Sequence, residues 1–187
     1  MKQPLFRPIA SIEGSEIIRW VGAEMALSGG ESVGGDDVAP IQWEHPSVPY
    51  LQLDAIDLHF KDGLVLRMCS QLPDGTGYHG LMLMENIGTP LDAGEPDKTG
   101  SIFRIRELHE LPPGIVKSVA LQPDGSNAII GVEFQIGAAF VRLISGEIYE
   151  QPNGTLQTII PDESVLVQVD GRRPGEIERR SGDLHHV

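Results

Sequence analysis

The amino-acid sequence predicts an all-β fold, and two observations carry that prediction. Apolar and polar side chains alternate in several short segments, most clearly where Val132, Phe134 and Ile136 are separated by single polar residues. Such alternation places one kind of side chain on each face of a strand, as in a half-buried sheet. Turn sequences rich in Gly, Pro and Asn separate the segments. We therefore predict about nine to eleven short antiparallel strands, arranged as a sandwich or an open barrel, with few short helices.

The strongest strand signals lie between residues 126 and 170. Gly137, the Gln-Pro-Asn-Gly run at residues 151–154 and Pro161 divide this stretch, because Gly and Asn accept turn conformations and Pro ends a ladder. Four consecutive strands are predicted there, at residues 132–136, 140–144, 155–160 and 165–169.

An internal resemblance links two parts of the chain. A predicted three-stranded meander in the first part has the same order of strands and turns as a second one later in the sequence. We interpret them as two pseudo-repeated meanders. The first comprises residues 56–60, 65–68 and 81–84, and the second comprises residues 132–136, 140–143 and 156–160.

The predicted domain organisation is a single β domain covering residues 1–170. Within it the sequence allows halves at residues 1–88 and 101–170, joined by a polar connector at residues 89–100 that contains Pro and Gly. Residues 171–187 are poor in apolar side chains and are expected to form a flexible tail.

Two local predictions concern segments that flank the strongest strands. Residues 23–27 favour a helical turn by composition. Residues 101–106 are predicted to form a strand with its two arginines facing outward and its apolar pair, Phe103 and Ile105, facing inward.

The net charge of this chain limits the classes of partner that it can bind. It carries 14 Lys and Arg against 27 Asp and Glu, a formal net charge of −13. Such a charge repels nucleic acid and anionic membranes, whose binding depends on basic side chains, and it speeds encounter with a basic protein. Residues 20–60 contain no Lys or Arg at all. We therefore expect a basic protein partner, with no nucleic acid and no membrane; the alternative is that the negative charge serves solubility alone.

The candidate partner-binding residues are carboxylates in predicted loops, because loops carry recognition more often than the strands that support them. One group lies in or beside the acidic, glycine-rich segment at residues 28–37, and a second group lies around the connector. The candidates are Glu31, Asp36, Asp37, Glu44, Glu85, Asp92, Glu95 and Asp97.

The sequence indicates no catalytic centre. Its histidines lack the close spacing of metal ligands, although a site formed by His59 and His79 with a carboxylate stays open. Glu147 and Glu150 are three residues apart in a strand and so lie on opposite faces, which is unsuitable for an acid/base pair. Cys69 lies in an apolar run and is expected to be a buried hydrophobe. We therefore predict a protein that is not an enzyme, with no cofactor and no metal.

Localisation is predicted from what the sequence does not contain. No apolar segment of a signal peptide follows the first residues, and no run approaches the roughly 18 apolar residues of a membrane helix. We expect a cytoplasmic protein.

In its composition and its pattern of strands and turns, the chain resembles the immunity proteins of bacterial polymorphic and contact-delivered toxin systems. The resemblance rests on the acidic composition, the short strands with Asp-Gly turns, and the phrases Ser-Gly-Glu-Ile-Tyr-Glu-Gln-Pro-Asn-Gly at residues 145–154 and Pro-Asp-Glu-Ser-Val-Leu-Val at residues 161–167. It implies a protein-binding inhibitor that neutralises a toxin by covering its active site. The alternatives are a small-molecule or carbohydrate-binding β module, or an enzyme without a recognisable motif.

Overall fold

The computed structural model describes residues 5–30, 39–72, 77–85, 88–94, 101–125 and 128–168. The all-β prediction is confirmed. These residues form fourteen strands and one short 3-10 segment, Ile9–Ile12, and none of them lies in an α-helix. Accordingly, no helix of the described chain is long and apolar enough to cross a membrane.

Ten strands form one main sheet and four form two small ladders. In chain order the strands are β1 (Leu5–Arg7), β2 (Glu16–Met25), β3 (Ser28–Gly30), β4 (Ala39–Gln42), β5 (Tyr50–Phe60), β6 (Val65–Gln71), β7 (Gly80–Glu85), β8 (Phe103–Glu107), β9 (Gly114–Pro123), β10 (Ile129–Ile136), β11 (Ala139–Ser145), β12 (Glu147–Glu150), β13 (Leu156–Ile159) and β14 (Val165–Gln168).

Six antiparallel strands close into a barrel in the order β5, β14, β11, β10, β9 and β2, because β2 also pairs with β5. The barrel is thus closed, where the sequence allowed a sandwich or an open barrel. Strands β6, β7 and β1 extend the sheet beyond β5, and β8 extends it beyond β2. Around the barrel, β2 and β5 from residues 1–88 are neighbours and β9, β10, β11 and β14 from residues 101–170 are consecutive, so each side of the connector supplies one arc and closure requires both.

Closure depends on the two long strands β2 and β5, each of which pairs with two different strands along one of its edges. One edge of β5 pairs with β2, and its other edge pairs with β14 at Tyr50 to Leu53 and with β6 at Ala55 to His59. Asp54 is the extra residue of a bulge between these two regions. A bulge bends a strand and increases its twist, which lets one strand belong both to the barrel and to the extended sheet.

Side chains fill the barrel, as expected for so few strands. Trp20 and Phe134 lie at its centre with ring centroids 6.3 Å apart, and neither is more than 1% exposed. The indole Nε1 of Trp20 donates a hydrogen bond to the carbonyl oxygen of Pro112 at 2.9 Å. A second, smaller core outside the barrel contains Leu27, Val48, Tyr50, Ile144, Ile148 and Leu166.

The structure differs from several local predictions. Residues 23–25, expected in a helical turn, continue strand β2, because pairing with β5 and β8 overrides local propensity. The first meander is present as β5, β6 and β7. In the second unit β13 pairs with β12 in a separate ladder, so the two units share two strands and not three. The tail at residues 171–187 lies outside the described residues.

The prediction for β8 is wrong for Phe103 and for its two arginines, whereas Ile105 is partly buried. Phe103 is 46% exposed, whereas Arg104 and Arg106 turn toward β2 and bind Glu24. The fully buried carboxylate of Glu24 explains why the arginines turn toward β2, since a buried charge requires an opposite charge beside it. Apolar periodicity alone therefore gave the wrong face.

Candidate partner-binding surface

The two ends of the barrel differ in their connections. At one end, which we call the turn end, lie the β5–β6 turn with Lys61 and Asp62 and the β10–β11 turn at Gly137. At the opposite end β2 and β11 finish, and the β3–β4 and β12–β13 ladders lie beside the second core. We call this the acidic end, for the carboxylates of Glu44, Glu147, Glu150, Asp162 and Glu163.

The β12–β13 ladder is fixed to the barrel by specific contacts. The backbone N–H of Ile148 donates to Oε1 of the buried Gln52 at 2.6 Å. Leu156 and Ile160 pack against the second core. Gly146 passes so close to β13 that a Cβ there would lie 2.8 Å from the carbonyl oxygen of Ile159. The ladder is therefore a seated element of the fold and holds its carboxylates in place.

Glu147 is a buried carboxylate with no basic partner among the described residues. It is 7% exposed, and the Ser164 hydroxyl donates to its Oε2 at 3.2 Å. Burial raises the pKa of Glu147; the Ser164 hydrogen bond opposes that rise, and the charges of Glu163 and Asp162 increase it. The electrostatic environment of this site is thus negative.

Tyr149, two residues after Glu147 on β12, lies in the same negative environment. Its hydroxyl donates to Oδ2 of Asp162 at 3.3 Å. Desolvation raises the pKa of Tyr149 to about 12, and the charges of Glu147 and Asp162 contribute to the rise. A phenol held neutral among carboxylates is a hydrogen-bond donor at physiological pH.

Two serines contact the backbone of the turn that carries Asp162. The Oγ atoms of Ser70 and Ser145 lie 2.6 and 2.8 Å from the carbonyl oxygen of Asp162 and 2.8 Å from each other. Because each hydroxyl has one hydrogen, two of these three contacts can be hydrogen bonds at a time. The contacts fix the backbone of the turn and so the starting positions of the Asp162 and Glu163 side chains.

Basic side chains near the acidic end are already occupied by internal partners. Arg104 Nε and Arg106 Nε donate to Oε2 of Glu24 at 2.7 and 2.6 Å, and Glu24 has no exposed surface. Arg106 also binds Glu110. The guanidinium of Arg104 lies 4.2 Å from the centre of the Trp43 ring, a cation–π contact. These arginines pair with the buried Glu24 and with the exposed Glu110, and they form no ion pair with Glu44, Glu150 or Glu163.

A second buried ion pair docks the connector on the outer face of the sheet. Asp57, with no exposed surface, accepts hydrogen bonds from Arg67 Nε and Nη2 at 2.7 and 2.9 Å. It also accepts one from the backbone N–H of Leu91 at 2.7 Å. The described part of the connector, residues 89–94, therefore lies against β5 and β6.

The turn end has mixed charge. Lys61 Nζ lies 2.7 Å from Oε2 of Glu16, and Lys117 is exposed nearby on β9. Exposed Glu13 and Asp62 provide carboxylates of the opposite sign. The described part of the molecule is thus electrically asymmetric, with a turn end of mixed charge and an acidic opposite end.

The predicted partner-binding residues do not form one patch. Glu44 is exposed and follows Trp43 at the acidic end. Glu85, on β7, forms an ion pair with Arg7 at 2.6 Å. Asp92 accepts a hydrogen bond from the backbone N–H of Gly94 within the connector. The remaining candidates, Glu31, Asp36, Asp37, Glu95 and Asp97, lie outside the described residues, and their role stays a prediction.

The sequence analysis missed Glu147, Asp162 and Glu163 as members of an acidic surface. A signal for them was present, because residues 143–171 contain no Lys or Arg, just as residues 20–60 contain none. The structure brings these two stretches together around the second core, through Leu27 and Val48 from one and Ile148 and Leu166 from the other.

The described residues contain no candidate metal cluster, and their one cysteine is not activated. They contain no group of three or more His, Cys, Asp and Glu side chains able to hold a metal ion. His59 pairs with Val65 at the start of β6, whereas His79 precedes the residue that pairs with Gln71 at its end, so the two histidines do not meet. Cys69 is buried, and burial raises its pKa to about 11, which disfavours the reactive thiolate.

An apolar groove of about 240 Å³ lies between the segment after β1 and strands β7, β9 and β10. Phe6, Leu121 and Ile129 contribute to its lining. Ligand pockets typically measure about 300–1,000 Å³ and contain a few convergent polar groups. The groove is smaller than this and its lining is almost wholly apolar, so it does not favour a small-molecule or carbohydrate site.

Comparisons of this chain with models of known protein families, with curated proteins and with solved structures found no match.

Proposed function

We propose that this protein is a binding protein that inhibits a basic protein partner, and that the acidic end of its barrel meets that partner. The inhibitor would act as immunity proteins do, by covering the active site of a toxin. The proposal assigns the described chain no reaction of its own.

The observation that carries the proposal is the unequal use of charge at the two ends. Arginines near the acidic end form ion pairs with the buried carboxylate of Glu24. Glu44, Glu150 and Glu163 therefore have no basic partner among the described residues. A surface of one sign steers a partner of the opposite sign and suppresses wrong partners. A charge retained only for solubility has no need of this segregation.

Rigid support favours recognition over general solubility as well. The carboxylates of the acidic end stand on a ladder fixed through Gln52 and on a turn fixed through Ser70 and Ser145. Preorganised charges lose little conformational entropy when a partner binds.

The test uses a partner captured from the native host and compares its association rate with two variants of equal net charge. Replacing Glu150 and Glu163, both exposed at the acidic end, by Lys should slow association several-fold and flatten its dependence on salt, because steering acts mainly on association. The matched control replaces Glu13 and Asp62, both at the turn end, by Lys, and we expect a smaller change. Equal rates for the wild type and both variants would contradict an acidic interface.

A further inference from the structure

The free edge of β13 is the feature from which we draw a more specific inference about the partner. Strand β13 belongs to a two-stranded ladder and pairs only with β12 among the described strands. Gln157 and Thr158 are exposed, and Ile159 is 40% exposed. The strand is therefore open to a second neighbour on its outer side.

The hydrogen-bond pattern shows which backbone groups point outward. The N–H of Gln151 donates to the carbonyl oxygen of Thr155 at 2.8 Å, so these two residues form a hydrogen-bonded pair. Such pairs alternate along an antiparallel ladder. It follows that Gln157 and Ile159 bond to β12, while the N–H and C=O groups of Leu156 and Thr158 point away from it, with no partner within the described chain.

Three other strands at sheet edges of the described chain, β8, β1 and β4, carry features that discourage pairing. In β8 the backbone of Phe103 faces outward, and the side chain of Ser101 both donates to its carbonyl oxygen at 2.8 Å and accepts from its N–H at 3.1 Å. Strand β1 is three residues long and is followed by Pro8, and β4 contains Pro40. Short strands, capped groups and Pro protect sheet edges from unwanted partners.

Strand β13 is also short, with four residues, but its edge has no capping side chain and no Pro. Residues 155–160, Thr-Leu-Gln-Thr-Ile-Ile, contain no charge, no Pro and no Gly. A segment of high β-propensity and no charge on a free edge is a template for another strand. The absence of capping groups and Pro here, where other edges have them, suggests that β13 pairs with a further strand.

The charges around β13 define what kind of strand fits. Glu150 lies opposite Leu156 on β12 and is exposed, whereas Glu147, opposite Ile159, is buried and is not available to an added strand. Asp162 and Glu163 follow β13 in the chain, and residues 143–171 supply no basic side chain to offset them. Lys or Arg side chains at the ends of an added strand would lie toward Glu150 at one end and toward Asp162 and Glu163 at the other, while β-branched residues between them would lie beside Thr158 and Ile159.

We propose that β13 accepts an extended basic segment of the partner as an additional strand, through the outward backbone groups of Leu156 and Thr158. This inference rests on the proposed function and specifies how the partner is recognised. Backbone hydrogen bonds would supply affinity, and the surrounding carboxylates would select Lys and Arg over acidic residues, as in other cases of strand addition.

The experiment follows amide hydrogen exchange by NMR on the full chain. The probe is a synthetic peptide, Lys-Thr-Val-Thr-Val-Lys, with capped termini. We expect exchange at Leu156 and Thr158 to slow by about tenfold or more at saturation, because bound amides exchange only after release. Replacing the lysines of the peptide by glutamate, or N-methylating alternate residues of its backbone, should abolish the protection.

Two protein variants complete the test. Thr158→Pro removes an outward N–H without removing a bond to β12, and it should abolish protection at Leu156, whereas Thr158→Val keeps the N–H and should preserve it. The N-methylated peptide provides the same test on an unaltered protein, should Thr158→Pro disturb the fold.

Each other outcome is informative. Peptide binding without protection of Leu156 and Thr158 would overturn strand addition but leave an acidic interface elsewhere intact. Protection that grows with protein concentration in the absence of peptide would identify a second copy of this chain as the occupant and would overturn the basic partner segment. Absence of any binding by the lysine peptide would overturn the inference, and the fate of the proposed function would then depend on the association rates of the captured partner.

Discussion

Asp57 and Arg67 face each other across β5 and β6, and the Asp57 carboxylate, with no exposed surface, binds both Nε and Nη2 of the arginine. The same carboxylate accepts a hydrogen bond from the backbone N–H of Leu91. One buried charge therefore joins two strands and the connector, which explains how a polar segment lies against the sheet.

We expect Arg67→Leu to destabilise the protein by about 3 kcal/mol, because it leaves the charge of Asp57 buried without a partner. Removing both partners, as in the double variant Asp57→Leu with Arg67→Leu, should cost less than the single arginine change. Urea unfolding measures both. The control is Arg7→Leu, which breaks the more exposed pair with Glu85 and should cost less than about 1 kcal/mol. Equal effects of Arg67→Leu and Arg7→Leu would contradict this account.

The buried Glu147 should give the stability of the protein a specific pH dependence. Burial first, then the charges of Glu163 and Asp162, raise its pKa in the folded state, so the folded protein binds this proton more tightly than the unfolded chain. Its stabilising contribution is present below the unfolded pKa of about 4.3 and is lost as pH rises through the higher folded value.

Glu147→Gln should therefore gain stability relative to the wild type as pH rises from about 4 to 7. Thermal or urea unfolding at several pH values measures the difference. The matched control is Glu150→Gln, which removes an exposed carboxylate from the same strand, and we expect its effect to vary much less with pH. A Glu147→Gln effect that is constant across this range would show that Glu147 does not titrate as we infer.

The thiol of Cys69 should be inert in the folded protein. Burial, with a contribution from Asp54, raises its pKa to about 11, so almost no thiolate forms at pH 8. Reaction with a chromogenic disulfide reagent at that pH should be slow for the native protein and complete within minutes after denaturation. Rapid stoichiometric reaction of the native protein would show that Cys69 is accessible and that the packing of β6 is looser than described.

Trp20→Phe should destabilise the fold by about 2 kcal/mol, because it leaves a space beside Phe134 and removes the partner of the Pro112 carbonyl oxygen. Trp43→Phe is the matched control, since Trp43 is half-buried and chiefly contacts the Arg104 guanidinium. Its cost should be at most about 1 kcal/mol. Chemical denaturation followed by circular dichroism distinguishes the two, and comparable losses would contradict the central position of Trp20.

The fold class could be predicted from sequence because alternation is local. Ile56, Leu58 and Phe60 all face the core as their spacing indicates. The Asp54 bulge was not predictable in this way. It shifts the register of β5 by one residue, so that Leu51 and Leu53 also face the core, although an uninterrupted strand would turn them to the other face.

Long-range ion pairs limited the prediction of the site. Arg104 and Glu24 are 80 residues apart in sequence, and only the pairing of β8 with β2 makes them neighbours. The apolar neighbours of Arg104 therefore suggested the wrong face for it. The same limit applies to Glu147 and Glu163, whose proximity depends on how the ladder lies on the second core. A search for stretches without Lys or Arg would have found both acidic segments, but not their juxtaposition.

The central claim is that a basic protein partner binds the acidic end of the barrel. Hydrogen exchange of the full chain, measured with and without the partner captured from the native host, tests this most directly. The account predicts slower exchange at residues 43–44 and 147–163 in the complex, with no change at residues 13–16 and 61–63 of the turn end. Protection confined to the turn end, with unchanged exchange at residues 147–163, would contradict it.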